Sequence, residues 1–150
     1  MSRSTATYET IKLDQDVNMR YSCCTDHNFF VPMHWHDSIE VIYVLEGESI
    51  INMEQQAYTL SADNFIIIDS NIIHSTQTRN RCHFLLIQIP YQFLKTYIPD
   101  IDYMHFKNIS SVAGVPLSDG ISGNPILPSE NLLQHLRSIL IQLVDLWNIK

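Results

Sequence analysis

Glycine is scarce in this chain, with four in 150 residues, three of them within residues 108–128. Phosphate-cradling loops and nucleophile elbows need glycines grouped at a strand-to-helix turn, and neither pattern occurs. Cysteine is equally sparse. Cys23, Cys24 and Cys82 form an odd set without Cys-x-x-Cys or zinc-type spacing. Cys23 and Cys24 are adjacent, so on a strand they leave opposite faces and cannot pair with each other. All three read as reduced thiols of a cytoplasmic protein. Positive charge is also short, with nine Lys and Arg against sixteen Asp and Glu and a formal charge of −7. The basic residues are scattered, which excludes a basic footprint for nucleic acid on this segment. No apolar run is long enough to span a bilayer and no secretory signal follows Met1, so no membrane partner is expected.

Hydrophobic residues make up 45% of the chain and charged residues 17%, which suits one folded domain with a substantial core. From Tyr8 to Ile89 the sequence reads as short β segments. These are Tyr8–Leu13, Met19–Cys24, Phe29–His34, Ile39–Leu45, Ser49–Met53, Ala57–Leu60, Phe65–Ile68, Ile73–Gln77 and Cys82–Ile89. Polar, turn-forming triplets separate them, such as Glu46-Gly47-Glu48 and Arg79-Asn80-Arg81. Many short strands at this spacing predict a sandwich or barrel. Phe65–Ile68 is apolar at every position and should be covered on both faces.

The pattern changes after Ile89. Pro90 opens a short helix over residues 90–98, and Pro99 stops it. Residues 108–128, rich in Gly and Pro, read as a linker between a barrel unit (residues 1–107, with residues 1–7 as a loose arm) and a helical region at 129–150. Ser129 is a fitting N-cap with Glu130 in the first turn. Leu133, Leu136, Leu140, Leu143 and Trp147 then recur at 3-4-3-4 spacing, with Leu132, Ile139 and Val144 widening the stripe. So wide an apolar face predicts two neighbours, the barrel and a partner helix, and these five residues are the expected dimer interface. The helix reaches Asn148-Ile149-Lys150 without a terminal glycine or proline, as though it continued.

The chemistry lies in His34-Trp35-His36-Asp37-Ser38-Ile39-Glu40, followed by Gly47 and later by His74. Residues at i and i+2 of a strand share a face, so His34 and His36 point together and Glu40 has the same parity. His74, from a later strand, can close the group. Three readings are open. The four residues bind Zn²⁺, Ni²⁺, Fe²⁺ or Mn²⁺ as neutral imidazoles and an ionised carboxylate. They line a metal-free pocket that hydrogen-bonds a polar small molecule. Or they form a mutually hydrogen-bonded cluster with no ligand. Tyr21 is a candidate pocket wall, where its ring could face a sugar. Trp35 and Tyr43 have the opposite parity and read as outer-face packing. Cys82 and His83 leave opposite faces, which excludes a dyad between them. His27, His105 and His135 read as surface or rim.

The pattern H-x-H-x3-E-x6-G with a later strand-borne His resembles the cupin motifs. The wording "HWHDSIEVIYVLEGESIIN…YTLSADNFIIIDSNIIHS", then "LLIQIPYQFLKTYIP", resembles the N-terminal effector-binding domain of AraC/XylS-type transcription regulators. Asp63, Asp69 and Asn71 stand where the second cupin motif has Gly, Pro and Gly, and Thr78 stands where it has Asn. The resemblance implies a mainly β fold, a cupin-type double-stranded β-helix (jelly-roll barrel) followed by C-terminal helix. It also implies a non-enzymatic role as sensor of a small polar effector, such as a sugar or related metabolite. The protein would be a homodimer, reaching DNA only through a C-terminal domain not present in this segment. The rival expectation is a small metal-dependent cupin enzyme of isomerase or dioxygenase type.

Overall fold

The computed structural model describes residues 5–14, 18–103 and 129–149. Seven strands, β1 (Thr7–Tyr8), β2 (Arg20–His27), β3 (Phe30–Trp35), β4 (Ser38–Met53), β5 (Gln56–Ser61), β6 (Phe65–Ile68) and β7 (His74–Pro90), are followed by α1 (Tyr91–Tyr97), a 3₁₀ turn (Pro99–Tyr103) and α2 (Glu130–Asn148). The molecule is mainly β, a jelly-roll barrel with a C-terminal helix.

Its frame is one long antiparallel ribbon. β4 and β7 pair from Ser38↔Pro90 to Met53↔His74. The sequence reading cut each of these strands in two, at Glu46–Glu48 and at Arg79–Arg81. Those triplets are irregularities inside continuous strands: the register shifts between Val44 and Glu46 and again between Glu46 and Glu48. Gly47 has φ +87°, and a Cβ there would lie 2.4 Å from the Arg81 carbonyl oxygen. A polar triplet with a glycine marks a bulge as well as a turn, and a bulge bends a strand without ending it. At this bend the ribbon folds over itself.

Each half of the ribbon gains its own flanking strands. One half-sheet sets β2 beside the C-terminal half of β7 and β6 beside the start of β4. The other sets β3 beside the start of β7 and β5 beside the end of β4, with β1 added in parallel to β3. Ile42, Val44, Ile51, Met53, Leu60, Ile66, Ile68 and Phe84 fill the space between the half-sheets.

Period-two alternation sends Tyr43, Phe65, Leu85 and Ile87 to the outside, where α2 covers them with Leu140 and Val144. Phe65–Ile68 is thus covered on both faces. Ser129 caps α2 by accepting the Leu132 amide at 3.2 Å. Leu133, Leu136 and Leu143 pack in the same outer cluster, and Trp147 meets Tyr21 edge-on at 5.3 Å. All five residues expected to form a dimer interface therefore face the chain's own barrel. The apolar residues left outward are Leu132, Ile139, Ile141, Leu146 and Ile149.

Two further expectations change. Tyr8–Leu13 is strand only at Tyr8, and Thr7, expected in a loose arm, is strand. The proposed linker at 108–128 and His105 lie outside the described residues.

Candidate functional site

Two rows of side chains meet at one end of the barrel. On the first half-sheet Arg20, Gln88 and Glu40 are lateral neighbours across β2, β7 and β4. On the second, His34 of β3 is the register partner of His74 of β7. His36 follows the end of β3. His34, His36, Glu40 and His74 are all buried, and one ligand atom from each lies within 4.8 Å of the others. The structure brings together the four residues that the sequence pattern singled out.

The backbone fixes the imidazoles. Nδ1 of His34 donates to the Pro32 carbonyl (2.9 Å), that of His36 to Ser38 (3.0 Å) and that of His74 to Ile72 (2.9 Å). A carbonyl only accepts, so Nδ1 carries the proton and Nε2 faces the centre in each ring. His36 Nε2 is 3.0 Å from Glu40 Oε2, which also accepts from Gln88 Nε2 at 2.7 Å. His74 Nε2 lies 3.6 Å from Glu40 Oε1 and has no hydrogen-bond partner although it is fully buried.

The local field follows from these contacts. Burial alone would raise the Glu40 pKa, but His36 and His74 hold it well below the usual carboxylate range. Burial depresses His34. For His74 burial pulls down, and the charge and proximity of Glu40 more than reverse it.

The group fits a divalent metal. Three Nε2 atoms and a carboxylate converge, each ring is oriented by a backbone carbonyl as metal-binding histidines are, a metal would replace any proton on Nε2, and His74 Nε2 lacks a hydrogen-bond partner. A nitrogen-rich set with one carboxylate suits Zn²⁺, Ni²⁺, Fe²⁺ or Mn²⁺.

A cavity of about 80 Å³ adjoins this cluster. Its polar end is formed by Glu9, Arg20, His34, Glu40 and Gln88, and its apolar wall by Phe29, Val31, Ile42, Phe84 and Leu86. Sequence reading missed three of the polar residues. Gln88 carried a signal, as a polar residue inside the apolar run Leu85–Ile89. Arg20 shares its face with Ser22 and Cys24, and only the register against Gln88 reveals its place. Glu9 arrives through the parallel β1–β3 contact, which no local pattern announces.

Tyr21 is not a pocket wall. It sits next to Arg20 and so leaves the opposite face, where its hydroxyl donates to the Leu143 carbonyl of α2. Tyr43 also lies on the outer face, donating to Asp63 at 2.8 Å. His27 and His135 are exposed. His83 does find a cysteine, but across the sheet: its Nε2 is 3.1 Å from Cys23 Sγ. Burial pushes the Cys23 thiol up, which opposes a thiolate there.

The model of the AraC-like ligand binding domain matches residues 19–146. An uncharacterized HTH-type transcriptional regulator, YdeC of Bacillus subtilis (strain 168), is 20% identical over 69 residues, which are 45% of this chain and 24% of that protein. This chain thus spans about a quarter of that relative's length. Among solved structures, a cupin superfamily protein from Desulfitobacterium hafniense is 18% identical with a TM-score of 0.48, covering 53% of this chain and 74% of that one. The Cnp3 cupin domain of Schizosaccharomyces pombe is 8% identical, also at 0.48, covering 59% and 67%. With the family model spanning most of the described barrel and α2, this chain belongs to the AraC-like ligand-binding domains.

Proposed function

We propose that this chain is the sensor of a DNA-binding transcription regulator and that it binds a small polar effector, such as a sugar or related metabolite, at the polar end of the barrel. The observation that carries this reading is the placement of the cavity. Three of its polar lining residues, Arg20, Glu40 and Gln88, belong to the inner face of the half-sheet whose outer face holds α2. Arg20 points in while Tyr21, the next residue, holds the Leu143 carbonyl, so a ligand that moves β2 also moves the helix. An effector acts only through its differential affinity for the two arrangements. DNA would be contacted by a further domain, in keeping with the HTH-type relative. Homodimerisation belongs to the same proposal, and Leu132, Ile139 and Leu146, seven residues apart on the outward side of α2, are suited to it.

The test is a thermal-shift screen of sugars and small metabolites on the wild type and on Glu40→Gln. A ligand that stabilises the wild type and not the variant supports the reading. Shifts equal in both would place binding elsewhere.

A second reading is a metal-dependent cupin enzyme, favoured by the unpartnered His74 Nε2. His34, His36, Glu40 and His74 would hold the metal, which would supply Lewis acidity. Elemental mass spectrometry of protein purified without tag or chelator distinguishes the two. Near-stoichiometric metal, lost in a His34→Ala/His36→Ala variant, would favour the second.

A further inference from the structure

Glu9 stands inside the cavity on a weakly held segment. β1 pairs with β3 at only two positions, Thr7↔His34 and Tyr8↔Trp35. Tyr8 is half exposed and leans edge-on against Trp35 at 4.8 Å. The Glu9 amide then donates to the Trp35 carbonyl at 2.9 Å, and its side chain turns toward the polar end. Its carboxylate lies 3.4 Å from His34 Nε2 and 3.9 Å from the Arg20 guanidinium. Both separations exceed those of a charge-assisted hydrogen bond. The other Arg20 contact within the cavity, to Gln88 Oε1, is 3.4 Å. Among the described residues, Arg20 therefore presents a planar donor fork that no carboxylate grips in two-point fashion.

Volume points the same way. With Glu9 in place the cavity measures about 80 Å³. Small-molecule sites usually span a few hundred Å³ or more. Displacing the Glu9 side chain, which lines the cavity, would enlarge it for a metabolite. Away from the polar end the lining is mostly apolar, with Phe29, Val31, Ile42, Phe84 and Leu86 beside Thr76, and suits an apolar body better than a ring of hydroxyls.

We infer that the cavity takes a small monocarboxylate with an apolar body, whose carboxylate replaces that of Glu9 opposite Arg20 and His34 and frees the arm from β3. The exchange keeps the charge of the site unchanged, whereas a neutral ligand would leave the half-buried Arg20 without its anion. The inference rests on the reading of the barrel as an effector site and names the class of the effector, an acid in place of a sugar. Glu9 acts as an internal competitor, so ligand entry and arm release are one event.

The test is calorimetric titration of the chain with butyrate, hexanoate and benzoate, beside their primary amides and the neutral sugars glucose and xylose. An acid is expected to bind about tenfold or more tightly than its amide, since a charged hydrogen-bonded pair is lost with the amide. Arg20→Gln should weaken the acid by about the same factor. Glu9→Gln should tighten it about fivefold by removing the competitor. Tyr8→Ala loosens the arm without touching the ligand and should tighten the acid as well. In a Trp147→Phe background Trp35 is the remaining tryptophan, and its emission should change as Tyr8 departs. Equal binding of acids and amides, or acid affinity indifferent to both Glu9→Gln and Tyr8→Ala, overturns the inference. This pair also decides the matter if Arg20→Gln does not fold. Binding of sugars but not acids overturns the inference and leaves the effector reading standing. Binding of neither series overturns both.

Discussion

His74→Leu separates a site built for a ligand from a cluster that satisfies itself. In the native chain the ring is fully buried, Nδ1 is bonded to the partly exposed Ile72 carbonyl, and Nε2 has no hydrogen bond. Leucine removes the bond to Ile72, about 1 kcal/mol, and the attraction of Glu40 at 3.6 Å. It also removes a buried polar atom without a partner, a relief of about 1–3 kcal/mol, and adds apolar burial of about 1 kcal/mol. The sum lies between no change and a gain of about 2 kcal/mol. Urea unfolding in chelator, followed by circular dichroism at pH 7, should therefore show a variant as stable as the wild type or more so, with ligand or metal binding lost. A loss of about 3 kcal/mol or more would refute the reasoning, because His74 would then be an internal tie in a complete network.

The pH dependence of stability checks the same argument. The folded pKa of His74 is raised above its ordinary value of 6.5, since Glu40 outweighs burial. Its contribution is full below pH 6.5 and is lost as pH rises through the folded value. His34, depressed by burial, has the opposite sign, with its contribution lost as pH falls below 6.5. Above pH 6.5 His34 is neutral in both states and only His74 counts of the two. The wild type should lose stability there as pH rises, and His74→Leu should lack that slope.

Metal offers an independent handle. Zn²⁺ at a hundred times its Kd should raise stability by about 2.7 kcal/mol, or roughly 5–10 °C in Tm for a domain of this size. His36→Ala should abolish the shift, and a shift that persists would put the metal elsewhere. Gly47→Ala should destabilise by about 1–3 kcal/mol, from positive φ and the approach to the Arg81 carbonyl, with an unchanged denaturation midpoint counting against the bulge as the hinge of the ribbon. Tyr21→Phe should cost about 1 kcal/mol and speed amide exchange at the end of α2 more than elsewhere. Uniform exchange would mean that the β2–α2 tie is not the link between the barrel and its helix.

The parity of His34, His36 and Glu40, the apolar run Phe65–Ile68 and the cap at Ser129 could be read directly, because each depends on residues close in sequence. Alternation on a strand and capping at a helix start are local physics. The presence of a barrel and the make-up of its central cluster were legible for the same reason. Where the strands end was not. Glu46-Gly47-Glu48 and Arg79-Asn80-Arg81 have the chemistry of turns, and only the pairing of β4 with β7 makes them bends in a continuous ribbon. The partner of the α2 stripe was not legible either: Leu133, Leu136, Leu140, Leu143 and Trp147 read as a dimer interface, but a leucine stripe carries no mark of whether it will meet a second helix or the chain's own sheet. The outer face of the first half-sheet, with Tyr43, Phe65, Leu85 and Ile87, decided it. Glu9, Arg20 and Gln88 came to the site through register across strands far apart in sequence. Composition and local spacing determined what kinds of groups this protein would bury, and long-range strand pairing decided which of them face one another.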